Sequence, residues 1–508
     1  MRLGLRGKET PGGWRVALGL SVLWAFGPAI PALMRGGILG SPYTDLYPSV
    51  WGLGWFVSAP SWLPNYTTSL AAPEGMGFYY SSPLHGWAAT VLVPLFGVVF
   101  SYNLLILLAR GLTVFAAYGA GRAAGLGERG ALVAGAIYGT SPFFHGYSVE
   151  GIVEGTDGWT LALLGWALAA GHPARATLAL GLTIWSSWYL GMVGVSLVVL
   201  SALLVDRRQW MVLLGGLGLA APALVSFAEA FPGIAPMDPT VRSLMGATLK
   251  IPRPGVLPGE DSFAINNYLG WITAGLALMQ VHVAPRRSLP ILLVALGFFV
   301  LSTGWGPWYE LPVLRSVRFA YRWHAGTLLM FGWLAGMAVE AKGLSRWVAL
   351  AIMMEGLLLS PVEPLIPSAD AEVPGIYDQV RGPLLLEVPG PVAMPPGVIN
   401  LSRPRARYLL YFQLQHGAAS PWAPDFNGVG ARAPAGWLTS FRSWDPLEQL
   451  TPTPPDLVGA RAAGVTQVML HRDGLGQRAG ELAAALVAGG AQERTREGQL
   501  VLFDLGGR

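Results

Sequence analysis

Long apolar runs separated by short polar loops fill the first 361 residues of the chain. A helix needs about 20 apolar residues to cross the hydrocarbon core of a bilayer. The runs therefore predict about eleven transmembrane helices, at residues 14–34, 102–121, 130–146, 157–171, 174–188, 189–205, 210–228, 267–283, 288–303, 319–340 and 346–361. A further apolar stretch, 86–100, is short and is interrupted by Pro94, so we predict that it lies in the membrane interface.

Basic residues between the runs set the predicted orientation, because cytoplasmic loops carry an excess of Lys and Arg. They occur after alternate runs, as Arg122, Arg129, His172, Arg175, Arg207, Arg208, Arg286, Arg287, Lys342 and Arg346. The first run is too long for a cleaved signal peptide and follows a basic N-terminus, which we place in the cytoplasm. Four polar segments then lie outside, at 35–85, 145–158, 229–266 and 304–318.

The pattern changes after Pro361, where prolines and charges increase and no apolar run is long enough to span. Alternating apolar and polar positions predict strands at 380–388, 467–471 and 499–504, and a helix at 480–488. We therefore predict two domains. Residues 1–361 form an all-α transmembrane domain with outer loops 35–85, 145–158 and 229–266, and residues 362–508 form a small extracytoplasmic α/β domain.

Composition supports a multi-pass membrane protein, which we expect in the inner (plasma) membrane. Of 508 residues, 53% are hydrophobic and 12% are charged, whereas soluble domains carry about 25% charged residues. The net charge of +4 comes from loop residues that act as topology signals, so no nucleic-acid partner is indicated. The absence of cysteine excludes disulfides, thiolate metal sites and cysteine nucleophiles.

Asp45 is the first candidate for chemistry. It lies in a short aromatic segment just beyond the first apolar run, on the predicted outer side. A carboxylate held there is suited to act as a general base on an acceptor hydroxyl, or as a metal ligand. The alternative is a loop aspartate that caps a helix starting near Leu46, with Pro48 in its first turn.

The segment 145–158 is the second candidate. It places His145 and three carboxylates, Glu150, Glu154 and Asp157, within thirteen residues between two apolar runs. Oxygen ligands of this kind bind divalent cations or share acid–base work. The alternative is a solvated loop in which Asp157 or its neighbour caps the next helix.

An arginine cluster at the outer end of the tenth run is the third candidate. Arg315, Arg318 and Arg322 lie within eight residues, and the positive-inside bias does not explain basic residues on this side. The planar guanidinium fork suits phosphate oxygens. A helix starting near Arg315 would place Arg318 and Arg322 on one face and direct its N-terminus at an anion. The alternatives are snorkelling towards lipid head groups and pairing with loop carboxylates.

Several segments together resemble the C-type (GT-C fold) integral-membrane glycosyltransferases, as an uncharacterised bacterial member. The matching features are a first helix followed by an outer loop with Asp45, the Ser-Pro-Leu-His85 end of that loop, and the runs that begin at Tyr102 and Arg129. Residues 415–417 and 464–468 are similar to the outer domain of bacterial proteins of this type.

The resemblance implies a sugar transfer from a polyprenyl-phosphate or diphosphate donor at the outer face of the membrane, with a glycan, lipid or protein acceptor. It implies that Asp45 is the catalytic residue. It also implies that the donor and acceptor are bound by Arg315, Arg318, Arg322, His85, Glu150, Glu154 and Asp157. No cofactor is certain. A divalent cation such as Mg²⁺ or Mn²⁺ stays open, although Asp45 has no adjacent acidic residue.

Two alternatives to the enzyme stay open at this point. One is a non-enzymatic protein on the same scaffold that assembles cell-envelope glycans or handles lipid, and the other is a flippase. The sequence has no Walker A motif, which excludes an ATP-driven pump, and no HExxH or Gly-x-Ser-x-Gly motif. The predicted spans contain few charges, which argues against an ion-coupled transporter.

Overall fold

The computed structural model describes residues 12–42, 44–230, 268–311, 314–317, 319–390, 405–422, 436–448 and 450–506. The contacts divide the chain into two compact units. The helical unit comprises Met1–Ser41, Ser81–Val225 and Ala235–Asp370. The α/β unit comprises Pro42–Tyr80, Ser226–Ile234 and Ala371–Arg508.

Helices dominate the structure up to residue 359. They are α1 (Gly12–Phe26), α2 (Ile30–Met34), α3 (Leu46–Ser58), α4 (Pro83–Phe96), α5 (Val98–Ala123), α6 (Glu128–Gly139), α7 (Pro142–Glu150), α8 (Val153–Thr156), α9 (Gly158–Ala170), α10 (Pro173–Ser186), α11 (Trp188–Leu204), α12 (Gln209–Ala230), α13 (Trp271–Val283), α14 (Pro285–Ser302), α15 (His324–Lys342) and α16 (Trp347–Leu359). Later helices are α17 (Arg405–His416), α18 (Gly436–Arg442), α19 (Leu457–Ala462), α20 (Arg472–Leu475) and α21 (Arg478–Ala488).

The strands are short. They are β1 (Ile38–Leu39), β2 (Tyr66–Thr67), β3 (Met76–Gly77), β4 (Ser368–Ala369), β5 (Leu385–Val388), β6 (Gln467–His471), β7 (Gln492–Glu497) and β8 (Leu500–Asp504). Strands β1 and β4 form an antiparallel pair within the helical unit, and β2 pairs with β3 in the α/β unit. The last four strands form one sheet in the order β5-β6-β8-β7.

Four of the described helical segments are long and apolar enough to cross a membrane: Gly12–Met34, Val98–Ala123, Gln209–Ala230 and Pro285–Ser302. Shorter apolar helices cover Pro83–Phe96, Trp188–Leu204, Trp271–Val283 and Trp347–Leu359. The mainly helical membrane fold is thus confirmed, and the number of spans stays a prediction. The break that separates 174–188 from 189–205 is confirmed at Ser187, whose Oγ accepts from the Leu190 amide at the start of α11.

The first membrane segment is interrupted at Pro28, and the buried Arg110 binds the backbone at this interruption. Pro28 has no N–H to donate to the carbonyl of Trp24 one turn earlier. The Nη2 of Arg110, in α5, donates to that carbonyl over 3.0 Å, and the guanidinium carbon lies 4.8 Å from the Trp24 ring centroid. Nη1 of Arg110 lies 3.0 Å from Nδ1 of His145, whose Nε2 donates to the Glu363 carbonyl over 2.7 Å. His145 therefore anchors α7 to this break.

The segment 145–158 is not a solvated loop, which corrects that alternative. Ser141 caps α7 by accepting from the Phe144 amide, and Pro142 occupies the first helical position, where a missing N–H costs nothing. Gly151, with φ of 68°, ends α7, and α8 and α9 follow directly. His145, Glu150 and Asp157 are all buried as a result.

The α/β unit contains a mixed sheet. Strands β5 and β6 are parallel, while β6 and β7 run antiparallel to β8. The predicted strands and the helix after residue 361 correspond to β5, β6, β8 and α21, and β7 was not foreseen because its residues are mostly charged. Helix α3 belongs to this unit, since the Trp51 indole donates to Oε1 of Gln413 in α17 over 2.7 Å. This grouping differs from the sequence-based division, which assigned 42–80 to the first domain.

Candidate functional site

Asp45 lies in the α/β unit, directly before α3. The helix begins at Leu46, as the capping alternative supposes, but the Asp45 side chain makes no capping hydrogen bond. The backbone carbonyl of Asp45 accepts from the Ser49 amide over 2.9 Å. Its side chain is exposed. The structure therefore removes the capping alternative and leaves the catalytic role of Asp45 as a prediction.

The three arginines of the predicted cluster differ in environment. Arg315 is exposed in a 3₁₀ turn, Leu314–Ser316, and Arg318 lies outside the described residues. Arg322 is buried in a second 3₁₀ turn, Ala320–Trp323. The α-helix begins at His324, so the condition that a helix starts near Arg315 is not met. The two 3₁₀ turns interrupt the helical pattern of this segment before α15 begins.

Arg322 is held by one carboxylate and by aromatic rings. Its Nη2 donates to Oε1 of Glu154 over 2.9 Å, and the two side chains are 6% and 16% exposed. The guanidinium carbon lies 4.1–5.8 Å from the ring centroids of Tyr147, Tyr189, Phe319 and Tyr321. Its Nη1 is buried and has no hydrogen-bond partner in the described part of the chain. The Nη1 edge of the Arg322 guanidinium therefore has hydrogen-bond donors that are not used, although Nη2 is held by Glu154.

Glu154 connects this arginine to the start of α4. While Oε1 of Glu154 faces Arg322, its Oε2 accepts from Ser81 Oγ over 3.0 Å. A carboxylate with donors on both oxygens is fixed in direction as well as in charge. Glu154 thus orients the guanidinium of Arg322, and two parts of the chain predicted to bind substrate are brought together.

Asp157 contacts two further residues at the start of α4, Ser82 and His85. Its Oδ2 accepts from Ser82 Oγ over 3.2 Å, and its Oδ1 lies 3.1 Å from Nε2 of His85 and accepts from the Trp159 indole over 2.9 Å. Asp157 is fully buried at the N-terminus of α9 without a side-chain capping bond. The Nδ1 of His85 is buried and lacks a partner among the residues described.

Two consecutive serines join these groups into one polar network. Ser81 bonds Glu154 and Ser82 bonds Asp157, so the network runs from Arg322 to His85 across the first turn of α4. Glu150 is buried at the last residue of α7. The sequence analysis identified the charged residues of the network but missed Ser81 and Ser82. The sequence signal for these serines is that they directly precede Pro83, the first residue of α4.

The network does not have the composition of a metal site. Both oxygens of Asp157 and both of Glu154 take hydrogen bonds from donors, and these carboxylates face different partners. No group of three or more His, Asp or Glu side chains is arranged to hold a metal within the described ranges. The divalent cation therefore stays a prediction.

A buried carboxylate outside this network, Glu355, was also missed by the sequence reasoning. Glu355 in α16 accepts from the amides of Trp271 and Ile272, and from the Tyr268 hydroxyl over 3.2 Å. A carboxylate at this position complements the N-terminal dipole of α13. The signal was an acidic residue inside an apolar run, which marks a position that needs a partner.

Solved structures place this architecture among known folds. The chain is similar to the arabinofuranosyltransferase AftD from mycobacteria, with a TM-score of 0.60 and 15% identity over 99% of this chain and 40% of that one. The chain has the GT-C fold. The Archaeoglobus fulgidus oligosaccharyltransferase, solved with zinc and sulfate, is a second GT-C neighbour, with a TM-score of 0.52 and 12% identity over 94% of this chain and 69% of that one.

The likeness does not extend to the full length of the mycobacterial enzyme. This GT-C chain spans about two fifths of the AftD structure, as the 40% coverage shows. No protein-family model and no curated protein sequence matches the chain. The fold is therefore established by structure, and the residues that act on substrate are matters for proposal.

Proposed function

We propose that this protein is a membrane glycosyltransferase that moves a sugar from a polyprenyl-phosphate donor to an acceptor hydroxyl at the outer face of the cell membrane. The observation that carries the proposal is Arg322, a buried guanidinium with an unused donor edge at Nη1. Its occurrence in a chain with the fold of an arabinofuranosyltransferase and an oligosaccharyltransferase supports this function.

Arg322 is suited to the phosphate of the donor. Glu154 occupies Nη2, so the guanidinium cannot rotate freely, and the rings of Tyr189 and Phe319 stack near its faces. A cation held in this way meets the negative charge that develops on a leaving phosphate without further reorganisation. Poor access of water strengthens the interaction. In this proposal Arg315 and Arg318 add positive charge for the same phosphate.

The reaction is an inverting displacement. The acceptor oxygen forms a bond to the anomeric carbon of the sugar while the bond from that carbon to the phosphate oxygen breaks. The electron pair of the broken bond leaves on the polyprenyl phosphate. Asp45, whose carboxylate is the proposed general base, takes the proton of the acceptor hydroxyl. Glu150, Glu154, Asp157 and His85 position the two substrates.

The test is a transfer assay with purified protein in lipid. Radiolabelled polyprenyl-phosphate sugars, including an arabinofuranosyl donor, are supplied with envelope extract as the acceptor pool. The proposal expects label on the acceptor with the wild type, loss with Arg322→Gln and with Asp45→Asn, and partial activity with Arg322→Lys. Arg207→Gln, which removes an exposed cation after α11, is the matched control and keeps full activity.

Four outcomes are distinct. Transfer that survives Asp45→Asn rejects Asp45 as the base, and transfer that survives Arg322→Gln rejects the phosphate role of Arg322. Folded wild-type protein that transfers no label from any donor overturns the enzyme proposal. Labelled lipid that moves between leaflets without acceptor would identify a flippase instead.

A further inference from the structure

We infer that His85 is a specificity-determining residue whose Nδ1 accepts a hydrogen bond from a sugar hydroxyl, and that Asp157 is its positioning residue. The inference rests on the proposed function, since it assigns a ligand group within the same substrate site. The observation is a buried imidazole with one nitrogen held by a carboxylate and the other, Nδ1, without a partner among the described residues.

Asp157 determines which nitrogen of His85 carries the proton. An ionised carboxylate only accepts hydrogen bonds, so the nitrogen 3.1 Å from its Oδ1, Nε2, is the one that donates. In a neutral imidazole the other nitrogen is then an acceptor. Nδ1 of His85 therefore presents a lone pair, and it complements a group that donates a hydrogen.

Asp157 also accepts hydrogen bonds from donors other than His85. The carboxylate accepts from the Ser82 hydroxyl and the Trp159 indole as well as from His85, and it lies at the N-terminus of α9. Hydrogen-bond donors and the positive end of a helix both stabilise a carboxylate. These contacts fix the direction of the carboxylate of Asp157, and with it the Nε2 edge of His85 that it holds.

A sugar hydroxyl is the ligand group that fits this acceptor. Phosphate oxygens at neutral pH are acceptors and match the guanidinium of Arg322, whereas hydroxyls are the donors that a glycosyl donor and a glycan acceptor both carry. His85 is linked to Arg322 through Asp157, the neighbouring serines Ser82 and Ser81, and Glu154. The network thus contains one group for an anion and one for a hydroxyl.

The test is a series of deoxy sugars assayed against His85→Ala. A buried acceptor that loses its donor is left unpaired, so the wild type should discriminate against one deoxy analogue by roughly 10- to 100-fold in kcat/KM. The same analogue should show no penalty with His85→Ala. Separate deoxy series on the donor sugar and on the acceptor glycan identify which substrate supplies the hydroxyl.

A second measurement does not depend on activity. Nitrogen-15 NMR of histidine-labelled protein, with His85→Gln to assign the resonance, reports which ring nitrogen is protonated. We expect an unprotonated Nδ1 at neutral pH in the wild type, and loss of this fixed tautomer in Asp157→Asn. A protonated Nδ1 overturns the inference, because the nitrogen would then be a donor.

Failure of the inference is separable from failure of the proposed function. If the wild type transfers sugar but every deoxy penalty is the same in His85→Ala, glycosyl transfer stands and the His85 assignment is rejected. If the wild type transfers nothing, the proposed function is rejected, and with it the sugar ligand of His85.

Discussion

At the residue scale, the pair formed by Arg322 and Glu154 combines structure with the proposed chemistry. Burying a charge without its partner is costly, so each side chain of this pair depends on the other. The exposed fractions of 6% and 16% place the pair in a region of reduced screening. Because Glu154 uses only Nη2, the pairing stabilises Arg322 while leaving Nη1 for a ligand.

Glu154→Gln is expected to destabilise the protein by about 2–3 kcal/mol, because it leaves the buried cation of Arg322 without an opposite charge. Denaturant unfolding in detergent, followed by circular dichroism, gives the change. The comparison is Glu493→Gln, which breaks an exposed pair with Arg496 and should cost less than about 0.5 kcal/mol. If the two substitutions lower the free energy of unfolding equally, burial is not what makes the pair of Arg322 and Glu154 stabilising.

His416 gives the α/β unit an expected sensitivity to acid. Burial lowers the pKa of His416 below its ordinary value of 6.5, although the Glu387 carboxylate opposes the shift. Nδ1 of His416 accepts from the Ala418 amide over 3.1 Å, and its ring stacks on Tyr377 at 5.4 Å. Protonation would remove that acceptor.

The direction of this pH dependence follows from the lowered pKa. The unfolded chain takes up a proton near pH 6.5 before the folded chain does, so stability is present above that pH and is lost as the pH falls. Hydrogen exchange of α17, corrected for the intrinsic rate, should therefore increase below pH 6.5. His416→Gln should flatten this response, while His172→Gln, which replaces an exposed histidine, should leave it unchanged.

At the element scale, the break between α1 and α2 explains an arginine inside an apolar helix. Arg110 donates to the Trp24 carbonyl that Pro28 cannot reach, so the side chain replaces a missing backbone hydrogen bond. The cost of a buried cation is offset by this bond, by the Trp24 ring and by His145. Arg110 is thus explained by the path of the backbone.

The expected result is a coupling between Arg110 and Pro28. Arg110→Met should lower the free energy of unfolding by about 1–3 kcal/mol, because the Trp24 carbonyl is left without a hydrogen-bond donor. Pro28→Ala restores an N–H for that carbonyl, so the double variant should be more stable than the sum of the two single effects by at least about 0.5 kcal/mol. Unfolding free energies of all four proteins test this, and strict additivity would reject the capping role of Arg110.

Elements were easier to predict than the contacts between them. The start of α3 at Leu46 and the break at Ser187 follow from local signals, and apolar runs located the main helices. The contact of Glu154 with Arg322 joins residues 168 positions apart, and no periodicity encodes it. The segment 145–158 was misjudged because its charges suggested solvent, whereas Glu154 and Asp157 accept hydrogen bonds from Ser81 and Ser82.

At the scale of the whole molecule, the α/β unit is built from separate parts of the chain. Residues 42–80 belong to it, although about 290 residues separate them from the main part of the unit. Trp51 donates to Gln413, and Gly54 lies so close to Leu414 that a Cβ there would require the leucine side chain to shift. Tyr47 adds a ring contact of 5.6 Å with Tyr411. Helix α3 therefore depends on α17 for the burial of its apolar face.

This arrangement gives an expected outcome for a chain that ends at Asp370. Without α17, the buried side chains of α3 would be exposed, and residues 42–80 should become sensitive to protease and exchange amide hydrogens quickly. Helices α5 and α6 belong to the helical unit and should stay protected in the same sample, which provides the internal control. Hydrogen exchange of the full and shortened chains measures both. Unchanged protection of 42–80 would support the boundary at residue 361 that the sequence predicts, because the segment would then fold without the C-terminal residues.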